Sequence, residues 1–185
     1  MAFKEKYLTL KKEIECLRSV AAVDASILPK YLAYGQLGNS WVLVSEQCAN
    51  CEHASFTKCI KTTFNPRSFV NRLLYILSVL DGAGVVHGDL KVSNLLVTAS
   101  GNIVVTDFSG SAVGTRNAST NLEKFEGVTV RANHITCFTE DFHAPELLEG
   151  CSTVNNVDMY SAGKILEEVY GEDYWTTDQD CMHAL

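Results

Sequence analysis

The chain has 185 residues, of which 46% are hydrophobic and 20% charged, and its net charge is −7. A chain of this length buries a sizeable core without disulfides or metals, and its acidity argues against a general binder of nucleic acid or of anionic membranes. No stretch approaches the ~18 apolar residues of a membrane span, and the charged N-terminus MAFKEKYLTLKKEIECL is unlike a secretory leader, so the seven cysteines read as reduced thiols of an intracellular protein.

Residues 3–19 predict a helix, because Tyr7, Leu10, Ile14 and Leu17 fall on one face. Two apolar runs within 31–48 flank Gly38-Asn39-Ser40 and predict a β-hairpin. A polar, cysteine-bearing connector then covers 48–64. Within it, Cys48, Cys51, His53 and Cys59 carry the donor types of a tetrahedral zinc site, but their spacing is not that of a standard finger, and ordinary thiols are the default. Asn65-Pro66 supplies a helix start, Phe69, Leu73, Leu77 and Leu80 its buried stripe, and Gly82 and Gly84 its end. A polar loop at 87–94 leads to a second hairpin, Leu95–Val97 against Ile103–Val105. Residues 109–143 are rich in Ser, Thr, Asn and Gly over a length that suits a functional loop. A last helix is expected from about Asn156 to Tyr170, ending at Gly171.

Chemistry concentrates in His87-Gly88-Asp89-Leu90-Lys91-Val92-Ser93-Asn94 and, thirteen residues after Asn94, in Asp107-Phe108-Ser109. Phosphoryl transfer from ATP needs such a set: one carboxylate to orient or deprotonate a hydroxyl, an amide and a second carboxylate to hold Mg²⁺, and an ammonium to offset charge on the group in flight. A loop feeding a short hairpin, with the second carboxylate just past its end, brings these groups to one edge.

These motifs resemble those of the protein kinase family. HGDLKVSN is similar to the catalytic loop HRDLKxxN, and Asp107-Phe108-Ser109 to DFG. Thr139-Glu140-Asp141-Phe142-His143-Ala144-Pro145-Glu146 resembles the close of the activation segment, and Asp158-Met159-Tyr160-Ser161-Ala162-Gly163 the start of the long central helix. The resemblance implies an α+β, kinase-like fold. Residues 1–48 would be a reduced small lobe of helix C, a hairpin and the hinge, and 49–185 a large lobe.

It also implies roles. Asp89 would be the catalytic base and Lys91 would contact the γ-phosphate, a position that favours the Ser/Thr class. Asn94 and Asp107 would ligate Mg²⁺, and Thr139 would support the loop that seats a protein substrate. Leu96 would floor the adenine pocket, with Ser45 as gatekeeper and Glu46 to Cys48 as hinge. Glu13 would be the helix-C carboxylate that pairs with a strand lysine. Leu17, His87 and Phe108 would share a hydrophobic column, and Asp158 would brace the catalytic loop from below.

The chain departs from the family pattern in four ways. Against that pattern, a small lobe without the Gly-rich loop and ATP-clamping lysine ahead of Glu13 is expected, as is a large lobe without the helices that follow the central one. Gly88 replaces the catalytic-loop arginine, which makes regulation by a phosphate on the activation loop unexpected, and Ser109 replaces the glycine of DFG. Several readings stand together: an active Ser/Thr kinase; a pseudokinase that binds a kinase or a kinase substrate; a small-molecule phosphotransferase, against which Lys91 and Thr139–Glu146 speak; and a fragment of a longer kinase. An apolar flank on the last helix would suit a partner or self-association.

Overall fold

Apolar residues at every third or fourth position set the long helices of the computed structural model, which describes residues 2–38, 40–48, 53–114, 128–135, 139–142, 144–148, 153–154 and 156–171. Helix α1 spans Ala2–Asp24 and buries Cys16, Leu17 and Val20. Burial pushes the Cys16 thiol up to about 11, so it stays protonated as a packing residue. Strands β1 (Tyr31–Leu37) and β2 (Ser40–Ser45) form the expected antiparallel hairpin.

The connector at 48–64 is where the reading from sequence falls short: it contains a helix, α2 (His53–Thr63). Ile60 is fully buried and Phe64 packs against the same core, an i, i+4 pair that the surrounding polar residues obscured. Of the four candidate zinc ligands, Cys48 is buried after β2 and Cys59 is half-buried on α2. Cys51 and the His53 side chain lie outside the described residues, among which no cluster of three metal-ligating side chains occurs.

Helix α3 (Pro66–Gly82) begins as its sequence predicts. The Asn65 side chain accepts from the Ser68 N–H at 2.8 Å, and proline opens the first turn. Its inner face carries Phe69, Leu73, Ile76 and Leu80. Arg72 on the same helix donates to the carbonyls of Ile103 (2.9 Å) and Ser26 (2.8 Å), tying α3 to the second hairpin and to the turn after α1.

Strand β3 (Val85–Val86) leads into the 87–94 loop. β4 (Leu95–Val97) and β5 (Ile103–Val105) then pair antiparallel with Leu95 opposite Val105. β6 (Ala112–Val113) turns back to pair with β3, and β7 (Val130–Arg131) pairs with β8 (Thr153–Val154). A short helix, α4 (Pro145–Leu148), precedes β8, and α5 (Val157–Tyr170) ends at Gly171. This is an α+β arrangement of helices with four small two-stranded sheets among the described residues.

The main core lies where α1, α2, α3 and α5 meet the β4–β5 hairpin, with Phe69, Phe108 and Ile165 fully buried at its centre. A smaller apolar cluster of Val86, Ala112, Val128, Val130, Ile135, Ala144 and Val157 anchors the segment that follows β6.

Candidate active site

Alternation of residue type builds the central loop. Leu90 and Val92 are fully buried and hold the backbone to the core, leaving Asp89 and Lys91 to turn the other way. Asp158, at the start of α5, accepts the N–H of His87 at 2.7 Å through Oδ2 and that of Gly88 at 2.9 Å through Oδ1. Burial pushes its carboxyl above the usual range, against the pull of His87 and the two backbone donors. His87 is itself fully buried. Its Nε2 lies 3.0 Å from the Thr106 carbonyl, and its ring meets Phe108 edge-on with centroids 4.8 Å apart. Leu17 packs in the same core as Phe108.

Gly88 stands where the kinase pattern has arginine, and the structure gives the reason. Its φ is +79°, and an added Cβ would sit 2.7 Å from Ile135 Cγ2. A side chain there would strain the backbone and force Ile135 to shift, and glycine avoids both.

Three side chains close a triangle at the loop's outer edge. Lys91 Nζ donates to Asp89 Oδ2 at 2.6 Å and to Thr139 Oγ1 at 2.8 Å, and the Thr139 hydroxyl donates to Asp89 Oδ1 at 2.8 Å. Thr139 comes from 48 residues further along the chain, so the contact belongs to the tertiary fold. Asn94 joins from below, with Nδ2 donating to the Asp89 carbonyl at 2.9 Å.

The hairpin delivers Asp107 to the same edge. Thr106 N–H donates to the Asn94 carbonyl at 2.9 Å, one step beyond the Leu95–Val105 pair, so Asp107 emerges next to Asn94. Asp107 has φ +64°, a left-handed turn that aspartate tolerates better than most residues. Asn94 and Asp107 thus offer an amide oxygen and a carboxylate, the hard donors that suit Mg²⁺. Ser109 donates to Asp107 Oδ1 from its hydroxyl at 2.6 Å and from its N–H at 3.4 Å.

Glu13 reaches this edge from α1, where the Phe108 N–H is its hydrogen-bond donor. Burial pushes its carboxyl up, the negative charge of Asp107 adds to the rise, and the Phe108 N–H opposes it. Tyr31, which no motif singled out, lies among the same groups. Burial pushes its phenol up to about 12, a hydrogen bond with Thr106 opposes that, and the charges of Glu13 and Asp107 reinforce it.

The remaining sequence-based candidates sit apart from the triangle. Leu96 is half-buried on β4 opposite Val104. Ser45 is exposed, with its hydroxyl donating to the Glu46 carbonyl at 3.2 Å. The Glu46 N–H donates to the Lys30 carbonyl at 2.8 Å, and its carboxylate accepts from the Lys30 N–H at 2.9 Å, which joins the end of β2 to the residue before β1. Cys48 is buried beside Tyr31.

Comparison with known proteins follows the same lines. Residues 2–184 match the family described as protein kinase domain. The chain is 30% identical over 122 residues to a protein of Arabidopsis thaliana named probable serine/threonine protein kinase IRE, covering 56% of this chain and 10% of that protein. It is 36% identical over 101 residues to CBL-interacting protein kinase 31 of Oryza sativa subsp. japonica, covering 54% of this chain and 20% of that one. Extracellular signal-regulated kinase 2 of Dictyostelium discoideum is 33% identical over 145 residues, 77% of this chain and 37% of that protein. The chain therefore spans well under half the length of these relatives.

Proposed function

This chain belongs to the protein kinase family, and from that premise we propose that it transfers a phosphoryl group from Mg-ATP to a serine or threonine hydroxyl of a protein, inside the cell. On this reading residues 1–48 belong to the small lobe and 49–185 to the large lobe. The observation that carries the proposal is the triangle of Asp89, Lys91 and Thr139, closed at 2.6–2.8 Å.

Each residue has a task. Asp89 is buried and held through both carboxylate oxygens, so it presents an oriented base to an incoming hydroxyl. It takes the hydroxyl proton as the oxygen–phosphorus bond forms and the bond to the leaving ADP breaks. Lys91 places an ammonium beside that carboxylate, where it offsets charge on the transferring group. Thr139 ties the activation segment, which would seat the substrate chain, to both. Asn94 and Asp107 are the residues that would hold Mg²⁺, which supplies charge neutralisation at the phosphates when bound. Leu96 and the Ser45–Cys48 turn are assigned to the adenine side. Turnover of ATP with a serine/threonine peptide library tests the reading: wild type should exceed Asp107→Ala by at least about a hundredfold, and equal rates sink it.

Two observations favour a second reading, a catalytically weak kinase-like module that binds a kinase or its substrate. Glu13 is beside Asp107 and accepts from the Phe108 N–H, so its own carboxylate adds negative charge near the phosphate side instead of offsetting it. Met159 and Tyr160 on α5 are 50% and 39% exposed, a surface open to a partner or to a second copy of the chain. A thermal shift with Mg-ATP favours the first reading. Its absence, together with recovery of a kinase in a pull-down, favours the second.

A further inference from the structure

In the kinase pattern the third residue of DFG is glycine and carries no side chain; here it is Ser109, and the structure gives its hydroxyl a partner. Ser109 Oγ donates to Asp107 Oδ1 at 2.6 Å, with the Ser109 N–H 3.4 Å from the same oxygen. Asp107 is exposed and sits on a left-handed turn, so nothing in its burial would fix its side-chain rotamer. A short hydrogen bond between a hydroxyl and a carboxylate is of the stronger, charge-assisted kind. It holds the carboxylate in one orientation and leaves Oδ2 outside the Ser109 contact.

We propose that Ser109 is a positioning residue that presents Asp107 to a divalent cation through Oδ2 and biases the site toward Mg²⁺ and Mn²⁺ over Ca²⁺; this rests on the reading of Asp107 as a metal-holding residue. The selectivity follows from coordination chemistry. Mg²⁺ demands a near-octahedral shell and takes carboxylates one oxygen at a time, whereas Ca²⁺ accepts both oxygens of one carboxylate in a larger, looser shell. Bidentate capture of Asp107 would have to share Oδ1 with the Ser109 hydroxyl and N–H, which weakens that oxygen as a donor; capture through Oδ2 alone would not. An oriented carboxylate also loses less rotamer freedom on binding, which favours affinity.

The test measures metal binding, with no turnover needed. Mn²⁺ affinity is read by electron paramagnetic resonance on the whole chain with a non-hydrolysable ATP analogue, and Mg²⁺ and Ca²⁺ by competition, for wild type, Ser109→Ala, Ser109→Gly, Ser109→Thr and Asp107→Ala. Circular dichroism checks that each variant is folded. Ser109→Ala and Ser109→Gly should weaken Mn²⁺ binding about tenfold, the scale of one hydrogen bond to a charged group, and raise Ca²⁺ affinity relative to Mg²⁺. Ser109→Thr, which keeps the hydroxyl, should restore both values. If the Ala and Gly variants match wild type in affinity and in the Ca²⁺/Mg²⁺ ratio while Asp107→Ala abolishes binding, Ser109 has no such role and the assignment of Asp107 survives. If Asp107→Ala binds Mn²⁺ as wild type does, or wild type does not bind it, the assignment of Asp107 falls and the Ser109 proposal with it.

Discussion

The loop from His87 to Asn94 and the β1–β2 hairpin are both short, and each leads into a part of the candidate site, yet they are built in opposite ways. In the loop, His87, Leu90, Val92 and Asn94 are buried, and polar groups are matched to partners from α5, from Thr106 just after β5 and from the activation segment. In the hairpin, Leu32, Tyr34, Leu37 and Val44 are exposed. A groove of ≈ 470 Å³ lined by Ile14, Leu17, Arg18, Tyr34 and Leu43 among others separates part of it from α1. An isolated two-stranded hairpin is marginal in water, so this one depends on the few side chains that reach the core, Tyr31 and Leu43. The contrast locates cooperativity: a change in the loop propagates through several elements, whereas a change at the outer hairpin stays local.

Among changes that bear on the loop and the hairpin, the largest effect is expected at Asp158. Asp158→Ala leaves the N–H groups of His87 and Gly88 buried without an acceptor. Each such group costs about 1–3 kcal/mol, so the variant should lose about 3–5 kcal/mol in urea denaturation. Asp158→Asn keeps one acceptor oxygen and should fall between it and wild type. A loss below about 1 kcal/mol for Asp158→Ala would mean that the loop is not braced from α5, and the contrast with the hairpin would collapse.

Next comes Tyr31, a half-buried link between hairpin and site. The Tyr31 phenol is pushed up to about 12 in the folded protein, above its ordinary value of about 10. The folded state therefore holds this proton more tightly than the unfolded chain does. Its contribution to stability is complete below pH ~10 and is lost as pH rises through ~12. Discounted for partial exposure, that is about 2 kcal/mol. Stability measured from pH 9 to 11.5 should fall more steeply for wild type than for Tyr31→Phe, and equal slopes would place the phenol in water.

Thr139→Val tests the triangle without creating a cavity. Lys91 and Asp89 keep each other at 2.6 Å, and both lose the threonine hydroxyl. Peptide phosphorylation should drop about tenfold, the equivalent of ~1.4 kcal/mol, with stability within about 1 kcal/mol of wild type. Unchanged turnover would reduce the contact to a packing detail.

Much of the inner site was legible because its signals are local. The alternation of Leu90 and Val92 with Asp89 and Lys91, the hairpin register that brings Asp107 to Asn94, and the Asn65-Pro66 helix start all lie within a few residues of sequence. What escaped depends on distant contacts or on very short elements. The β3–β6 and β7–β8 pairs are two residues per strand, too short for any period to register. Helix α2 buries Ile60, and Phe64 just past its end packs on the same core, among lysines and threonines. Tyr31 matters only because α1, β1 and the end of β5 converge on it. Glu46 also bonds Lys30, a residue sixteen positions earlier, through its N–H and its carboxylate, a contact that no local pattern signals.

The smallest effect is expected at the hairpin tip, and its smallness is informative. Leu37 is 73% exposed and pairs with Ser40 at the turn end of β1. Leu37→Thr trades a leucine for a β-branched residue of good strand propensity and removes apolar surface that is mostly in water already. The change should lie within about 0.5 kcal/mol of wild type. The fully buried Phe69→Ala, by contrast, should cost about 3–5 kcal/mol, because a cavity would open at the centre of the main core. If Leu37→Thr instead cost more than about 1.5 kcal/mol, the exposed face of the hairpin would have to be covered in solution, and sedimentation of wild type against the variant would reveal whether a second copy of the chain covers it.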